Sequence, residues 1–499
     1  MKEENVRLIL GLKVRQLRLE QSLSLQELSG KTGISVSYLN EIEKGKKRPK
    51  AEKVSSLSDA LGVSYDWLVS LQLNSKLSAI GELLNSNILN ELPLDVFGLE
   101  PGDLLELLTN APAKLGAFVS TLIEVSRSYD MKVQQFHFSA LRAYQEMHGN
   151  YFHEIELLAN SFCKKFNLPT DRALEGPELL DILQHHYNIR VVEDGLSEFP
   201  ELSHLRSVTK PGKPFQLLLN KNINKTQYIF ALAREIGYYS QSLDKRPLSS
   251  PIVTVNSFDE VINYFKASYF AGAVLQPQHR FKKDLRNFFS KKKWNGSELV
   301  SMMSAYNVSP EIFLERMTNL LPRHFNLHEI FYLRFNKPDH LPEYNLTKEL
   351  HLSGLQSPHA VLLNEHYCRR WISLTILDEV TEKWAKDTYE QPVAGIQYSN
   401  YVDTHNRYLV ITLGKPMYPT PGVKSSISIG IRVNESLRKT IKFWNDPAIS
   451  ERMVGETCER CSLNTCRERV APPKVLTEQS KLQTTTDTLK TITDSHNFR

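Results

Sequence analysis

The stretch that most constrains the fold lies at residues 24–44. Ser24-Leu25-Gln26-Glu27 puts a serine at a helix start and a glutamate three residues on. Each side chain can accept a hydrogen bond from the other residue's backbone N–H, so the pair predicts a helix N-terminus. That helix is short and predicted to end near Gly30, and Thr32-Gly33 supplies a tight turn. A further helix is predicted from Ser35 to about Lys44. On it Ser35, Leu39 and Ile42 share one face, which leaves Val36, Ser37, Asn40 and Lys44 on the other. Residues 5–20 alternate apolar and basic positions and predict an amphipathic helix ahead of the pair. Two short helices about a Gly-containing turn, the second with small polar residues outward, form a helix-turn-helix arrangement. Such a second helix fits the major groove, where short polar side chains reach base edges.

The run LSLQELSGKTGISVSYLNEIEKGKKRPKAEKVSSLSDALGVSYDWL resembles the Xre/Cro-type DNA-binding domain across nearly all of residues 7–70. The resemblance implies that Gln26, at the start of the second helix, meets a phosphate. The DNA-facing set is then Gln26, Ser35, Val36, Ser37, Tyr38, Asn40 and Lys44, with Lys46, Lys47 and Arg48 on the backbone. Lys44 to Lys53 holds six basic residues against one acid. Residues 1–70 as a whole carry only 12 basic against 9 acidic residues, so one copy is expected to bind weakly. The expected partner is a double-stranded operator with two half-sites, read by a homodimer or a higher homo-oligomer.

The chain has 499 residues, too many for one ordinary core. Its expected divisions are a DNA-binding domain at 1–70, a helical connector at 71–130, a middle domain at 131–345, a C-terminal domain at 346–473, and a disordered polar tail at 474–499. The expected fold is multidomain. An all-α helix-turn-helix domain comes first, then a mainly α (α+β) middle domain and an α+β C-terminal domain with clustered cysteines. Within the middle domain, residues 131–168 predict one or two long helices, 189–192 and 216–219 short strands, and 295–335 a return to helix. Alternation at 407–411 and 425–429 predicts further strands. No apolar run approaches the roughly 18 residues a membrane helix needs, and the first 21 residues do not read as a secretory signal. Five cysteines in so long a chain do not make a disulfide scaffold, so a cytoplasmic setting is expected.

Residues 228–242, YIFALAREIGYYSQS, resemble the metal-binding helix of ImmA/IrrE-type metallopeptidases. That helix needs two histidines four apart and a glutamate between them. Here the positions are Arg234, Glu235 and Tyr238, and a guanidinium cannot ligate zinc. NYFKASYFAGAVLQP at 263–277 is similar to the helix that carries the family's third, acidic ligand, but offers Tyr264, Phe265 and Lys266 instead. The scaffold is therefore expected to persist without catalysis, with no catalytic residues. Arg234, Tyr238 and Tyr269 are either pocket residues for an effector or satisfied polar groups of the core. A basic run, RFKKDLRNFFSKKK at 280–293, carries seven basic residues and one acid with phenylalanines between them. It reads as a solvated face, or as a contact for phosphates of an effector or of DNA.

Cys458, Cys461 and Cys466 form a C-x2-C-x4-C array, a spacing that aims thiolates at one centre. Cys368 is the best fourth ligand and His366 the second; zinc and an iron–sulfur cluster both stay open. Cys163, in ANSFCKKF, reads as a core thiol. CxxW at Cys368 to Trp371, with GETCERCSLNTCRERVAPP at 455–473, resembles the C-terminal domain of the short-chain fatty-acyl-responsive transcriptional regulators. Those regulators are similar along the whole length: an Xre-type domain, a degenerate ImmA/IrrE-like middle and a Cys-bearing end. The resemblance implies a regulator of transcription with an acyl-CoA ester as effector. The alternatives are a zinc metallopeptidase that cleaves a partner repressor, and an antitoxin-like autoregulator.

Overall fold

The computed structural model describes residues 3–70, 133–352, 365–386, 391–402, 404 and 406–495, which fall into two compact units. The connector expected at 71–130 lies outside the described residues. No described helix is long and apolar enough to cross a membrane.

The first unit holds α1 (Glu3–Glu20), α2 (Leu25–Thr32), α3 (Val36–Glu43), α4 (Ala51–Leu61) and α5 (Tyr65–Val69). The reciprocal cap forms as the sequence predicts. Glu27 N–H donates to Ser24 Oγ at 3.1 Å, and Ser24 N–H donates to Glu27 Oε2 at 2.7 Å. α2 runs two residues beyond Gly30, to Thr32. Gly33 then ends it in the left-handed region at φ 67°, with its N–H on Ser29 O, a conformation glycine adopts without cost. Leu10, Val14, Leu28, Ile34, Leu39 and Ile42 form the core with Val54, Leu57 and Leu61. α1 lies so close to α3 that a Cβ on Gly11 would stand 2.3 Å from Ile42 O.

The second unit begins its own core with α7 (His153–Lys165), which follows α6 (Val133–Met147); the predicted helical stretch is thus two helices. α8 (Gly176–Asp181) leads to a four-stranded sheet of β1 (Ile189–Val192), β2 (Ser207–Lys210), β3 (Phe215–Leu219) and β4 (Ser249–Ser250), in the order β1-β3-β2-β4. Against it lie α9 (Lys225–Ser240) and α10 (Phe258–Leu275), followed by α11 (Gln278–Phe289), α12 (Gly296–Ser304) and α13 (Pro310–Phe325). A buried ion pair joins α7 to α13: Arg316 donates to both carboxylate oxygens of Glu156, at 2.5 and 2.8 Å.

The sequence reading places 330–345 in the middle domain, with helix continuing to 335. The structure corrects this. β5 (Ile330–Pro338) sits inside a second sheet with β6 (Asn345–His351), β7 (Val393–Tyr401), β8 (Arg407–Pro416), β9 (Val423–Arg432) and β10 (Ser450–Val454), in the order β10-β7-β8-β9-β5-β6. The reason is the period of two at 330–336: Phe331, Leu333 and Phe335 point to one face, Tyr332 and Arg334 to the other. The first face is covered by α14 (Ile372–Lys386), where Phe331, Leu333 and Phe335 pack with Trp371 and Leu374 and Ser373 Oγ meets Ser428 Oγ at 2.7 Å. After α15 (Glu435–Thr440) and β10 comes α16 (Lys474–Ser495), within the stretch expected to be a disordered tail. This helix satisfies its own backbone while packing little. Its threonines, which gave the segment its polar composition, bond back to carbonyls four residues earlier, as Thr484, Thr485 and Thr488 do at 2.9 Å.

Candidate functional site

Of the residues expected to face DNA, most stand exposed on the first unit. Gln26 stands exposed in the first turn of α2, and Ser35, Val36, Ser37 and Asn40 are exposed at the start and outer face of α3. Ser35 does not share the buried face with Leu39 and Ile42, as its spacing suggested. It caps α3, its Oγ accepting from Tyr38 N–H at 3.3 Å. Tyr38 is half-buried against the core, with Lys53 Nζ 4.3 Å above its ring. Lys44 is half-buried, while Lys46, Lys47 and Arg48 are exposed on the loop to α4.

Two interior groups that the sequence reading missed hold this surface in place. Arg18 of α1 donates from Nε and Nη2 to the two carboxylate oxygens of Glu43, at 2.6 and 2.8 Å, and from Nη1 to Leu23 O at 2.8 Å. The pair pins the end of α3 to the end of α1, and the hydrogen bonds to Glu43 raise the guanidinium's pKa. Lys13 is wholly buried. Its Nζ donates to Trp67 O and Ser70 O, both at 2.7 Å, and lies 4.5 Å above the Trp67 ring. For Lys13 the signal was a charge flanked at three and four residues by Ile9, Leu10 and Leu17, whereas Arg18, with Arg15, Gln21 and Ser22 at those spacings, gave none.

In the second unit, Arg234 replaces the first histidine of the peptidase pattern and makes its own contacts. Nη1 donates to Tyr264 OH at 2.9 Å and Nη2 to Ser207 Oγ at 3.4 Å. Tyr264 falls in the stretch where the third ligand was sought, so an arginine–phenol pair spans two of the expected metal-binding positions. Burial raises the Tyr264 pKa, yet the charge of Arg234, the hydrogen bond with Ser250 and the charge of Arg206 hold it below its ordinary value. Glu235, at the general-base position, pairs with Arg246 at 2.8 Å, and Arg246 lies 4.8 Å over the ring of Tyr238. Burial raises the Tyr238 phenol. Tyr269 belongs to another network, donating to Glu156 Oε1 at 2.8 Å and accepting from Phe152 N–H at 3.2 Å. The three residues expected at an effector therefore divide between two sets of partners. An open cleft of about 500 Å3 lies elsewhere, lined by Arg323, His324, Asn326 and His328 among others, and none of the three lines it.

The interleaved phenylalanines of the basic run are core: Phe281, Phe288 and Phe289 are buried, and Arg280 stacks 4.2 Å over Tyr306. The lysines at 291–293 are exposed. Cys163 is a core thiol, which burial pushes up to about 11.

All five cysteines are thiols. Tyr367 bridges to Thr457, and Cys458 N–H donates to His366 O at 2.9 Å, so the two distant segments bearing cysteines run side by side. Burial pushes the Cys368 thiol up to about 11, with Cys461 and Cys458 near enough to add to the shift. Backbone N–H groups of Leu463 and Val470 reach the sulfurs of Cys461 and Cys458, each at 3.5 Å, contacts that suit thiolate ligands. Cys466 instead faces Glu468 at 3.7 Å, and His366 Nδ1 is held by Glu459 at 2.8 Å. Among the described residues, no group of three or more His, Cys, Asp or Glu stands arranged to hold a metal ion. Cys368, Cys458 and Cys461 thus lie near one another without forming a metal-binding arrangement, whereas Cys466 faces Glu468.

The short α2, the glycine turn and the exposed polar face of α3 define a helix-turn-helix DNA-binding domain. Residues 14–68 match the helix-turn-helix family, and residues 184–318 match the IrrE N-terminal-like domain. The HTH-type transcriptional regulator y4dJ of Sinorhizobium fredii is 33% identical over 66 residues, covering 13% of this chain and 86% of its own length. The chain belongs to the HTH-type transcriptional regulators. The HTH-type transcriptional regulator DdrOP3 of Deinococcus deserti is 36% identical over 57 residues, 11% of this chain, which spans only 44% of that relative's length. A solved transcriptional regulator of Mycobacterium tuberculosis is 16% identical, covering 67% of this chain and 93% of its own, at a TM-score of 0.47.

Proposed function

We propose that this chain is a one-component regulator whose second unit senses a short-chain acyl-CoA ester and sets the affinity of the first unit for an operator. The observation that carries the DNA half is the exposed row Val36, Ser37 and Asn40 on a helix braced from inside by Arg18 and Glu43. The sensing half is supported by the exchange of metal-binding positions for Arg234 and Tyr264, which disfavours hydrolysis and leaves the peptidase scaffold for binding. The effector reading extends the resemblance to the acyl-responsive regulators. Binding is by a homodimer on two half-sites. An effector acts only through different affinity for two states, so DNA changes acyl-CoA affinity by the same factor as acyl-CoA changes DNA affinity.

Cys368, Cys458 and Cys461, with Cys466, hold zinc or an iron–sulfur cluster, a centre that would tie the start of the C-terminal domain to its end. Elemental analysis and an absorbance spectrum of protein prepared without oxygen test this; protein without zinc, iron or visible absorbance ends the idea. The function itself is tested by footprinting the pure protein on its own upstream DNA with and without a panel of acyl-CoA esters. A protected region that an acyl-CoA strengthens or weakens is expected, and no footprint under any condition would overturn the proposal.

A further inference from the structure

Tyr332 is only 1% exposed, yet its hydroxyl has no hydrogen-bond partner. A buried hydroxyl left unpaired is unfavourable, so what lies around it matters. Its own strand places Arg334 two residues on, on the same face of the sheet. Lys348 of β6 stands directly opposite Arg334, with its Nζ 5.8 Å over the Tyr332 ring. Lys415 of β8 reaches the same face through Ser425, which it opposes and whose Oγ accepts from Arg334 Nε at 3.3 Å. From the middle of the chain come Arg206, beside β2, and Arg234, whose charge reaches Arg206.

Two carboxylates answer these five cations. Glu311 of α13 meets Arg334 at 2.9 Å and Arg206 at 3.7 Å, and Glu315 pairs with Lys348. Among the described residues Lys415 forms no salt bridge, although the charge of Glu311 reaches it, and Arg206 Nε is unpartnered. Burial pushes Lys415 down to about 8, with Arg206 and Arg334 adding to the shift and the charge of Glu311 opposing it. A half-buried cluster with an excess of positive charge is unfavourable by itself, because partial burial weakens each charge's solvation and like charges repel. It is favourable once an anion enters.

We infer that Arg206, Arg334, Lys348, Lys415 and the Tyr332 hydroxyl form a binding site for a phosphoryl or pyrophosphoryl group. These four cations exceed Glu311 and Glu315 by two positive charges, which suits a dianion better than a single carboxylate, and guanidinium groups match phosphate oxygens. Lys348, whose side chain is 43% exposed, marks the open side. The site deepens the sensing proposal and rests on it for its role, though not for its chemistry. The phosphate could be that of a free nucleotide or inorganic pyrophosphate, or the one an acyl-CoA carries.

Calorimetric titration of the full-length protein with inorganic pyrophosphate, ATP and acetyl-CoA tests the site, alongside Lys415→Met and Tyr332→Phe. Pyrophosphate is expected to bind the wild type and raise its Tm. Each variant should bind at least ten-fold more weakly. Without ligand, Lys415→Met should melt no lower than the wild type, because it removes a repelled cation; a lysine with a purely structural role would melt lower. Failure of all three probes to bind, or equal binding by both variants, overturns the site. Acetyl-CoA binding that ignores both variants removes this site and leaves the sensing proposal standing. Variant-sensitive binding of pyrophosphate and ATP, with no binding of acetyl-CoA, keeps the site and removes acyl-CoA as effector.

Discussion

Arg18 and Glu43 meet inside the N-terminal domain with almost no water around them, and their value lies in being paired. Removing one partner leaves a buried charge alone. Glu43→Ala is therefore expected to destabilise this domain by about 3–5 kcal/mol, seen as an earlier transition in denaturant. A loss under about 1 kcal/mol would show that the pair is not held dry. Asn40 is the opposite case. It is exposed and touches no core residue, so Asn40→Ala should leave stability unchanged while weakening operator discrimination by roughly 1–3 kcal/mol, read by competition footprinting. Equal loss of stability would put Asn40 in the fold rather than at the DNA. The outward residues of α3 were legible from spacing. The Arg18–Glu43 pair was not, because only folding brings a residue of α1 to the end of α3.

At the scale of elements, α1 and α3 are in contact at Gly11, where any Cβ would press on the backbone oxygen of Ile42. Gly11→Ala has to push the helices apart and should cost roughly 1–3 kcal/mol, with a matching loss of DNA affinity as α3 shifts. Unchanged melting would contradict the close approach. α13 is docked on the second sheet through Glu311. Burial raises that carboxyl's pKa, but Arg334, Arg206 and the neighbouring lysines bring it down to about 2 from an ordinary 4.5. A carboxylate with a depressed folded pKa gives its full stabilisation above its unfolded value and loses it as pH falls. The second unit should thus lose stability between about pH 4.5 and 2, and Glu311→Gln should flatten that limb in acid titration followed by circular dichroism. The strand β5 was readable in principle from the alternation of Phe331, Leu333 and Phe335, but a preceding helical stretch carried the expectation of helix too far.

For the whole molecule, the first 70 residues carry a small basic excess, most densely at Lys44 to Lys53, with six basic residues against one acid. Operator affinity should fall steeply and linearly with salt on logarithmic axes; a flat dependence would mean that phosphates are not engaged. The sequence by itself determined the helix pair of this domain, the Ser24–Glu27 cap and the outward placement of Val36, Ser37 and Asn40, because those depend on neighbours three and four residues apart. It also put Arg234 and Tyr238 where the resemblance expects zinc ligands, and residue identity alone decides that a guanidinium cannot bind zinc. Only the tertiary structure decided that Arg234 is matched to Tyr264, that Tyr269 belongs to the Glu156 network, and that β5 leaves the middle domain for the second sheet. Likewise it alone gathered Arg206, Arg334, Lys348 and Lys415 around one carboxylate and an unpaired tyrosine. The physical reason is range: capping and helical faces are set by local geometry, whereas charge excess and burial are set by segments that meet only when the chain folds.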